Sequence, residues 1–265
     1  MKNKLTILTL TGLLIFHVLP AQTVTIKQIG KDNLFINFSN YFHFGGNFYT
    51  LENAGLNKTD LHTGEHTKLG NASFKNANFF FGVNRRLYTI DNDGSMTQID
   101  PTSGAWSVIS PMNTWQYITR VVVIGNSLYT VENSAFFYYP ILNPRSRKQL
   151  GESEFTDLGI FVRGDTTLHN ILSDGSIYQI SLTNGSWKKI GKSRNWRSTK
   201  TGAILNNKIY TVEASGIFYE TSLPDGTKKQ LDDTQFKKAR QLFTEEGKLY
   251  MISIEGNLFE VELHQ

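Results

Sequence analysis

The run KTGAILNNKIYTVEASGIFYETSLPDGTKKQL, residues 200–231, divides at its turn residues into four short strands. Ala203-Ile204-Leu205 is apolar and ends at Asn206-Asn207, a pair that tolerates the positive φ of a tight turn. Lys208 to Val212 alternates, and Ala214-Ser215-Gly216 turns the chain. Ile217 to Thr221 forms the next strand, and Pro224-Asp225-Gly226 leads into Thr227 to Leu231. Short alternating segments between turn residues, with no sustained 3.6-residue apolar period, read as all-β structure.

The same unit recurs outward from this stretch. An apolar residue stands before Tyr49, Tyr88, Tyr129, His169, Tyr210 and Tyr250, at spacings of 39, 41, 40, 41 and 40. A second ladder runs Ile29-Gly30, Leu69-Gly70, Ile109-Ser110, Leu150-Gly151, Ile190-Gly191 and Leu231-Asp232, at spacings of 40, 40, 41, 40 and 41. Two ladders with one period give six units of four strands, which is propeller spacing. Val24 to Gly30 reads as a fourth strand with nothing before it, and Leu258 to Leu263 as a third strand with none after it. The sequence therefore predicts a six-bladed β-propeller, one domain over residues 22–265. Its N-terminal strand supplies the outer strand of the last blade, which hides edges that would otherwise pair with other chains.

Residues 1–21 stand apart. A basic start with Lys2 and Lys4, an apolar run from Leu5 to Val18 and the small Ala21 follow the order of a secretory signal. The run is shorter than the roughly 20 apolar residues of a spanning helix. No cysteine marks a lipid attachment point, so the expectation is a secreted or periplasmic, monomeric chain without a membrane anchor. The absence of cysteine also excludes disulfides, thiolate zinc sites and cysteine nucleophiles. Without the leader, 25 basic residues face 23 acidic ones, a net charge of +2. That balance does not favour nucleic acid as a partner. No phosphate loop, dinucleotide fingerprint or nucleophile elbow occurs, and no cofactor is expected.

The repeat consensus is L-Y-x-[VI]-[DE]-x-x-G-x-[LI]-Y, closing on [TN]-G-x-W-x-x-[IL]-G, with its clearest copies at Leu87 to Ser110 and Leu168 to Gly191. It resembles the repeats of tachylectin-2-like and related secreted bacterial propellers. The resemblance covers the mature chain and implies a secreted propeller with carbohydrate among its candidate ligands. The kelch, WD and YWTD signatures are absent.

Candidate site residues lie on the face formed by the loops between blades. Phe35, Phe74, Trp115, Phe155, Trp196 and Phe236 each fall fourteen residues before an anchor, one in every blade. They are either a ring of sugar-stacking platforms or wedges between blades. Of these, Trp115, Trp196, Phe155 and Phe236 are the binding candidates, with the two Trp expected to be exposed. Arg120, Lys200 and Arg240 form a basic sector suited to an anionic partner. Glu52, Asp91, Glu132 and Glu213 recur three residues after the anchor, either as a cation ring or as turn residues. His62 and His66 flank a turn without a third ligand, and His43 is expected to face the channel. No metal site is assigned. The leading functional expectation is a non-catalytic binding protein for carbohydrate or a surface protein, through one face. The alternative is a hydrolase or lyase acting on a glycan or lactone at the channel mouth. A role in assembly would instead show a large exposed apolar patch.

Overall fold

The computed structural model describes residues 23–264, apart from 141, 153, 165 and 193. The expected leader lies outside the described residues. Among these, no helix is long and apolar enough to cross a membrane.

Strand β1 (Thr23–Ile29) opens the chain. Blade 1 is β2 (Phe38–Phe44), β3 (Asn47–Glu52), β4 (Gly55–Asp60) and β5 (His66–Leu69). Blade 2 is β6 (Ala77–Val83), β7 (Arg86–Asp91), β8 (Met96–Ile99) and β9 (Trp106–Ser110). Blade 3 is β10 (Ile118–Ile124), β11 (Ser127–Glu132), β12 (Ala135–Tyr139) and β13 (Lys148–Leu150). Blade 4 is β14 (Ile160–Arg163), β15 (Leu168–Ile171), β16 (Ile177–Ile180) and β17 (Trp187–Ile190). Blade 5 is β18 (Thr199–Leu205), β19 (Lys208–Glu213), β20 (Phe218–Ser222) and β21 (Lys228–Asp232). Blade 6 is β22 (Ala239–Glu245), β23 (Lys248–Ser253) and β24 (Leu258–His264), and β1 completes it by pairing antiparallel with β24 from Thr23↔His264 to Ile29↔Leu258. The six-bladed ring closed by the N-terminal strand is thus the fold of this chain.

The core is six separate clusters, each between two neighbouring blades. Phe35, Phe48 and Tyr250 join blades 6 and 1, while Phe81, Trp115 and Tyr139 join blades 2 and 3. Sheets standing radially place side chains against adjacent blades, so alternation along each strand fills both interfaces.

The second ladder's glycines have a steric cause. A Cβ on Gly64, in the third hairpin of blade 1, would lie 2.3 Å from the Gly30 Cα at the end of blade 6. Gly191 and Gly226 meet in the same way between blades 4 and 5. The ladder changes to Ser110 and Asp232 where the following blade lacks this turn. Blade 3 makes its third connection through a 3₁₀ turn at Pro144–Ser146. In blade 6 the outer strand comes from the other chain end.

Candidate functional site

The six repeated aromatics sit inside the inter-blade clusters. Trp115, Phe155, Trp196 and Phe236 are all buried, at 3% exposure or less. Phe236 stacks on Phe218 at 4.1 Å and Phe155 on Phe136 at 4.9 Å. Trp196 donates through Nε1 to Thr221 Oγ1 at 3.1 Å. The main chain locks them too: the Phe74, Trp115, Phe155 and Trp196 amides donate to carbonyls of the preceding blade's second turn. The expectation of exposed Trp platforms is therefore corrected. A residue needed at every blade boundary is buried by that boundary.

The basic candidates each reach a neighbouring blade, with Arg120 and Lys200 exposed and Arg240 half-buried. Arg240 donates to the Phe35, Ile36 and Phe38 carbonyls of blade 1 and stacks over the Phe38 ring at 4.0 Å. Arg120 donates to the Leu158 carbonyl on the way into blade 4, and Lys200 reaches the Lys237 carbonyl at 3.5 Å. β-Bulges at the start of β18 and β22 leave Lys200 and Arg240 unpaired in the ladder. A bulge re-aims its side chain, and here the aim is the next blade.

The four carboxylates do not form a ring. Glu132 pairs with Arg147 and accepts from Tyr139 and Thr130 within blade 3. Glu213 pairs with Lys228 within blade 5, and Glu52 lies 3.5 Å from His66 within blade 1. Burial raises the Asp91 carboxyl above its usual range. Among the described residues no group of three His, Asp or Glu could hold a metal ion. His62 instead faces Glu246 at 3.4 Å, and His66 hydrogen-bonds Thr59 at 2.9 Å. Arg147 is tied to Glu132 and lies over the Phe137 ring.

The open cavity lies elsewhere. A channel of about 620 Å³ is lined by the six inner strands down to the hairpins that follow them, including Gly45, Asn84, Arg85 and Asn126. This is the end opposite the inter-blade loops. His43, six residues before its anchor, and Arg163, six before its own, occupy one repeat position in blades 1 and 4. Three blades apart in a six-blade ring, they face each other across the axis. Arg163 Nη2 lies 2.7 Å from His43 Nε2, and its Nη1 donates to the Val123 carbonyl at 3.1 Å. His43 Nδ1 lies 2.7 Å from Glu245 Oε2, and Glu245 Oε1 accepts from the Gly46 amide. A guanidinium can only donate, so Nε2 accepts and the proton of neutral His43 sits on Nδ1. Burial, then the Arg163 charge, push the His43 pKa down to about 4 against the pull of Glu245. Burial works to raise the Glu245 pKa, but the His43 contacts, the Gly46 amide and Arg163 together hold it below the ordinary value. A polar bar thus crosses the channel. Its expected member was His43; Arg163 was missed, because the position six residues before the anchor differs in every blade and gives no pattern to read.

A second feature lies on the outside of blade 2. Trp106, Val108 and Ile109 on β9, with Met112 just beyond, are 55%, 58%, 41% and 65% exposed. Each of the other outer strands carries at least one exposed lysine: Lys27 on β1, Lys68 on β5, Lys148 on β13, Lys188 and Lys189 on β17, and Lys229 on β21. Strand β9 reads WSVIS and has no charge.

No protein-family model matches the chain, and no curated protein matches it. Solved structures do. A protein of unknown function from Bacteroides thetaiotaomicron aligns with a TM-score of 0.62 at 13% identity, over 92% of this chain and 76% of that one. Virginiamycin B lyase from Staphylococcus aureus aligns with a TM-score of 0.53 at 8% identity, over 91% and 99%. PorZ of Porphyromonas gingivalis, a surface component of the type-IX secretion system, aligns with a TM-score of 0.51 at 10% identity, over 88% of this chain and 37% of that one. At these identities the likeness is one of fold.

Proposed function

We propose that this chain is a non-catalytic recognition protein, exported by residues 1–21, that holds a protein partner along the outer edge of blade 2. Solved propellers include a surface component and a lyase, so fold leaves both functions open. The observation that carries the reading is the uncharged, apolar edge at β9. An outer strand presents unpaired N–H and C=O groups, and lysines on such strands discourage pairing. Five blades have that protection and blade 2 does not. An extended partner segment with apolar side chains fits such an edge by strand addition, its main chain giving affinity and its side chains specificity.

Against turnover, Glu245 is the one carboxylate among the described residues lining the channel, and it is engaged by His43. Glycoside hydrolysis by paired carboxylates lacks its second member there. The Nε2 lone pair that would serve as base is occupied by Arg163.

Photo-crosslinking tests the reading. A photoreactive residue at Val108, in the full chain in its native cells, should give one discrete adduct with a protein. The adduct should vanish when Trp106→Lys is added, and the same probe at Lys68 should give none. Equal adducts at both positions, or none at Val108, would contradict it.

A further inference from the structure

Blade 2 departs from its counterparts in charge as well as in its apolar edge, and the departure describes the partner. Building on the reading of β9 given above, we propose that the segment added there is apolar and carries a lysine or arginine at the end that lies beyond Ser110, where it pairs with Asp93 and Asp91.

The argument starts from two positions of the repeat. The outer-strand residue in line with the apolar residue before the anchor is His66 in blade 1, Trp106 in blade 2, Trp187 in blade 4, Lys228 in blade 5 and Ile26 in blade 6. Arg147 takes the same part in blade 3, one residue before β13. The second position, three residues after the anchor, holds Glu52, Asp91, Glu132, Leu172, Glu213 and Ser253. The two positions go together. Blades 1, 3 and 5 have an acid and a base, and the base meets the acid. Blades 4 and 6 have neither. Only blade 2 keeps the acid, Asp91, and has Trp106 in place of the base.

The consequence is visible around Asp91. Thr50 and Thr130 donate to Glu52 and Glu132. The equivalent Thr89 is fully buried beside Asp91 without closing that bond: its Oγ1 and Asp91 Oδ1 are both buried with no hydrogen-bond partner. Asp93 stands exposed in the same turn and repels the Asp91 charge. Among the described residues no ion pair reaches either carboxylate. Arg86 on the same blade is engaged by Asp100, and Lys75, on the loop that meets the turn through Asn76, pairs with neither. Acids in the other second turns have cations beside them even off the shared position: Asp174 feels Lys189 and Arg194, and Glu255 pairs with Lys238.

The two carboxylates stand where the added segment leaves the blade. Ser110 pairs with Met96, and the Asn113 amide donates to the Asp93 carbonyl at 2.7 Å. The exposed Met112 lies between these contacts, so the apolar edge runs onto the acidic turn. A strand on β9 passes Met112 as it leaves Ser110. A long basic side chain there lays its stem along apolar surface and brings its charge to the turn. Its bond to a carboxylate is charge-assisted. At the other end of β9, Arg86 and Asp100 compensate each other, so only one end of the segment needs a charge.

Anisotropy titrations of the full chain with dye-labelled peptides test the proposal. The probes are short peptides of alternating threonine and valine with lysine at the first or the last position, each with a glutamate counterpart. One lysine peptide should bind about fivefold or more tightly than its counterpart, and high salt should erase the preference. Which peptide it is gives the direction of the added strand. Asp91→Asn combined with Asp93→Asn should abolish the preference without weakening the glutamate peptides. An asparagine at 93 still accepts the Ser95 amide, as Asp93 does at 2.9 Å, so this variant should melt no lower than the wild type. Trp106→Ser with Val108→Ser should remove binding of every peptide. Peptides that bind at β9 by that criterion but show no lysine preference, or a preference that survives the double asparagine variant, would overturn the proposal and leave the reading of β9 standing. No peptide binding, or binding that survives the double serine variant, would overturn both.

Discussion

Single residues carry two separable kinds of constraint here. Gly64 has a positive φ of 74° and faces the Gly30 backbone, whereas Gly45 has a φ of 57° with nothing nearby. Gly45→Ala should cost about 1 kcal/mol, the strain of a left-handed residue alone. Gly64→Ala adds a backbone clash and should cost on the order of 3 kcal/mol. Denaturant melts of the two variants check this, and equal losses would refute the close-approach account. The buried histidines make a second prediction. Burial pushes the His169 pKa down to about 4, as it does for His43, from an ordinary value of 6.5. The unfolded chain then takes up protons that the folded chain refuses. Their contribution is complete above pH 6.5 and is lost as the pH falls toward 4, by about a few kcal/mol in all. His43 is flanked by Arg163 and Glu245, but His169 has a buried Nδ1 without a partner. His169→Tyr restores the residue that the other five blades use, opposite Gln179. It should raise the melting temperature at pH 5 and flatten the acid slope between pH 6.5 and 4. An unchanged slope would contradict the assignment.

At the level of strands, the period exposes what every blade shares and hides what one blade alone does. The strands of blade 5 lie within a few residues of the boundaries read from residues 200–231. The repeated aromatics were equally visible, but a sequence cannot say whether a ring at a blade boundary faces out or in. Trp115 and Trp196 face in because a radial sheet turns that loop position onto its neighbour. Trp106 and Trp187 share one consensus position, yet Trp187 packs on Phe155 at 4.8 Å while Trp106 is exposed. The signal that would have found β9 is the missing lysine, a comparison among six strands and not a property of one. This comparison also makes a stability prediction. Val108→Lys gives β9 the protection of its counterparts, so it should leave the melting temperature nearly unchanged and reduce self-association at high concentration in light scattering. A large stability loss would mean that Val108 is a core residue.

Closure is the property of the whole ring. Strand β1 buries Val24 and Ile29 and pairs along its full length with β24. Removing residues 1–30 leaves blade 6 with three strands and a free β24 edge. The melting temperature should fall by about 10 °C or more, and oligomers should form through that edge. A truncated chain that stays monomeric and equally stable would contradict closure. Within the closed ring, the account divides the outer surface into five protected edges and one open one. The most direct test is amide hydrogen exchange of the full chain, measured alone and bound to the partner recovered by the Val108 crosslink. The account predicts slowed exchange across Trp106 to Ser110, with β1, β5, β13, β17 and β21 unchanged. Protection that spares β9, or that falls equally on all the outer strands, would contradict it.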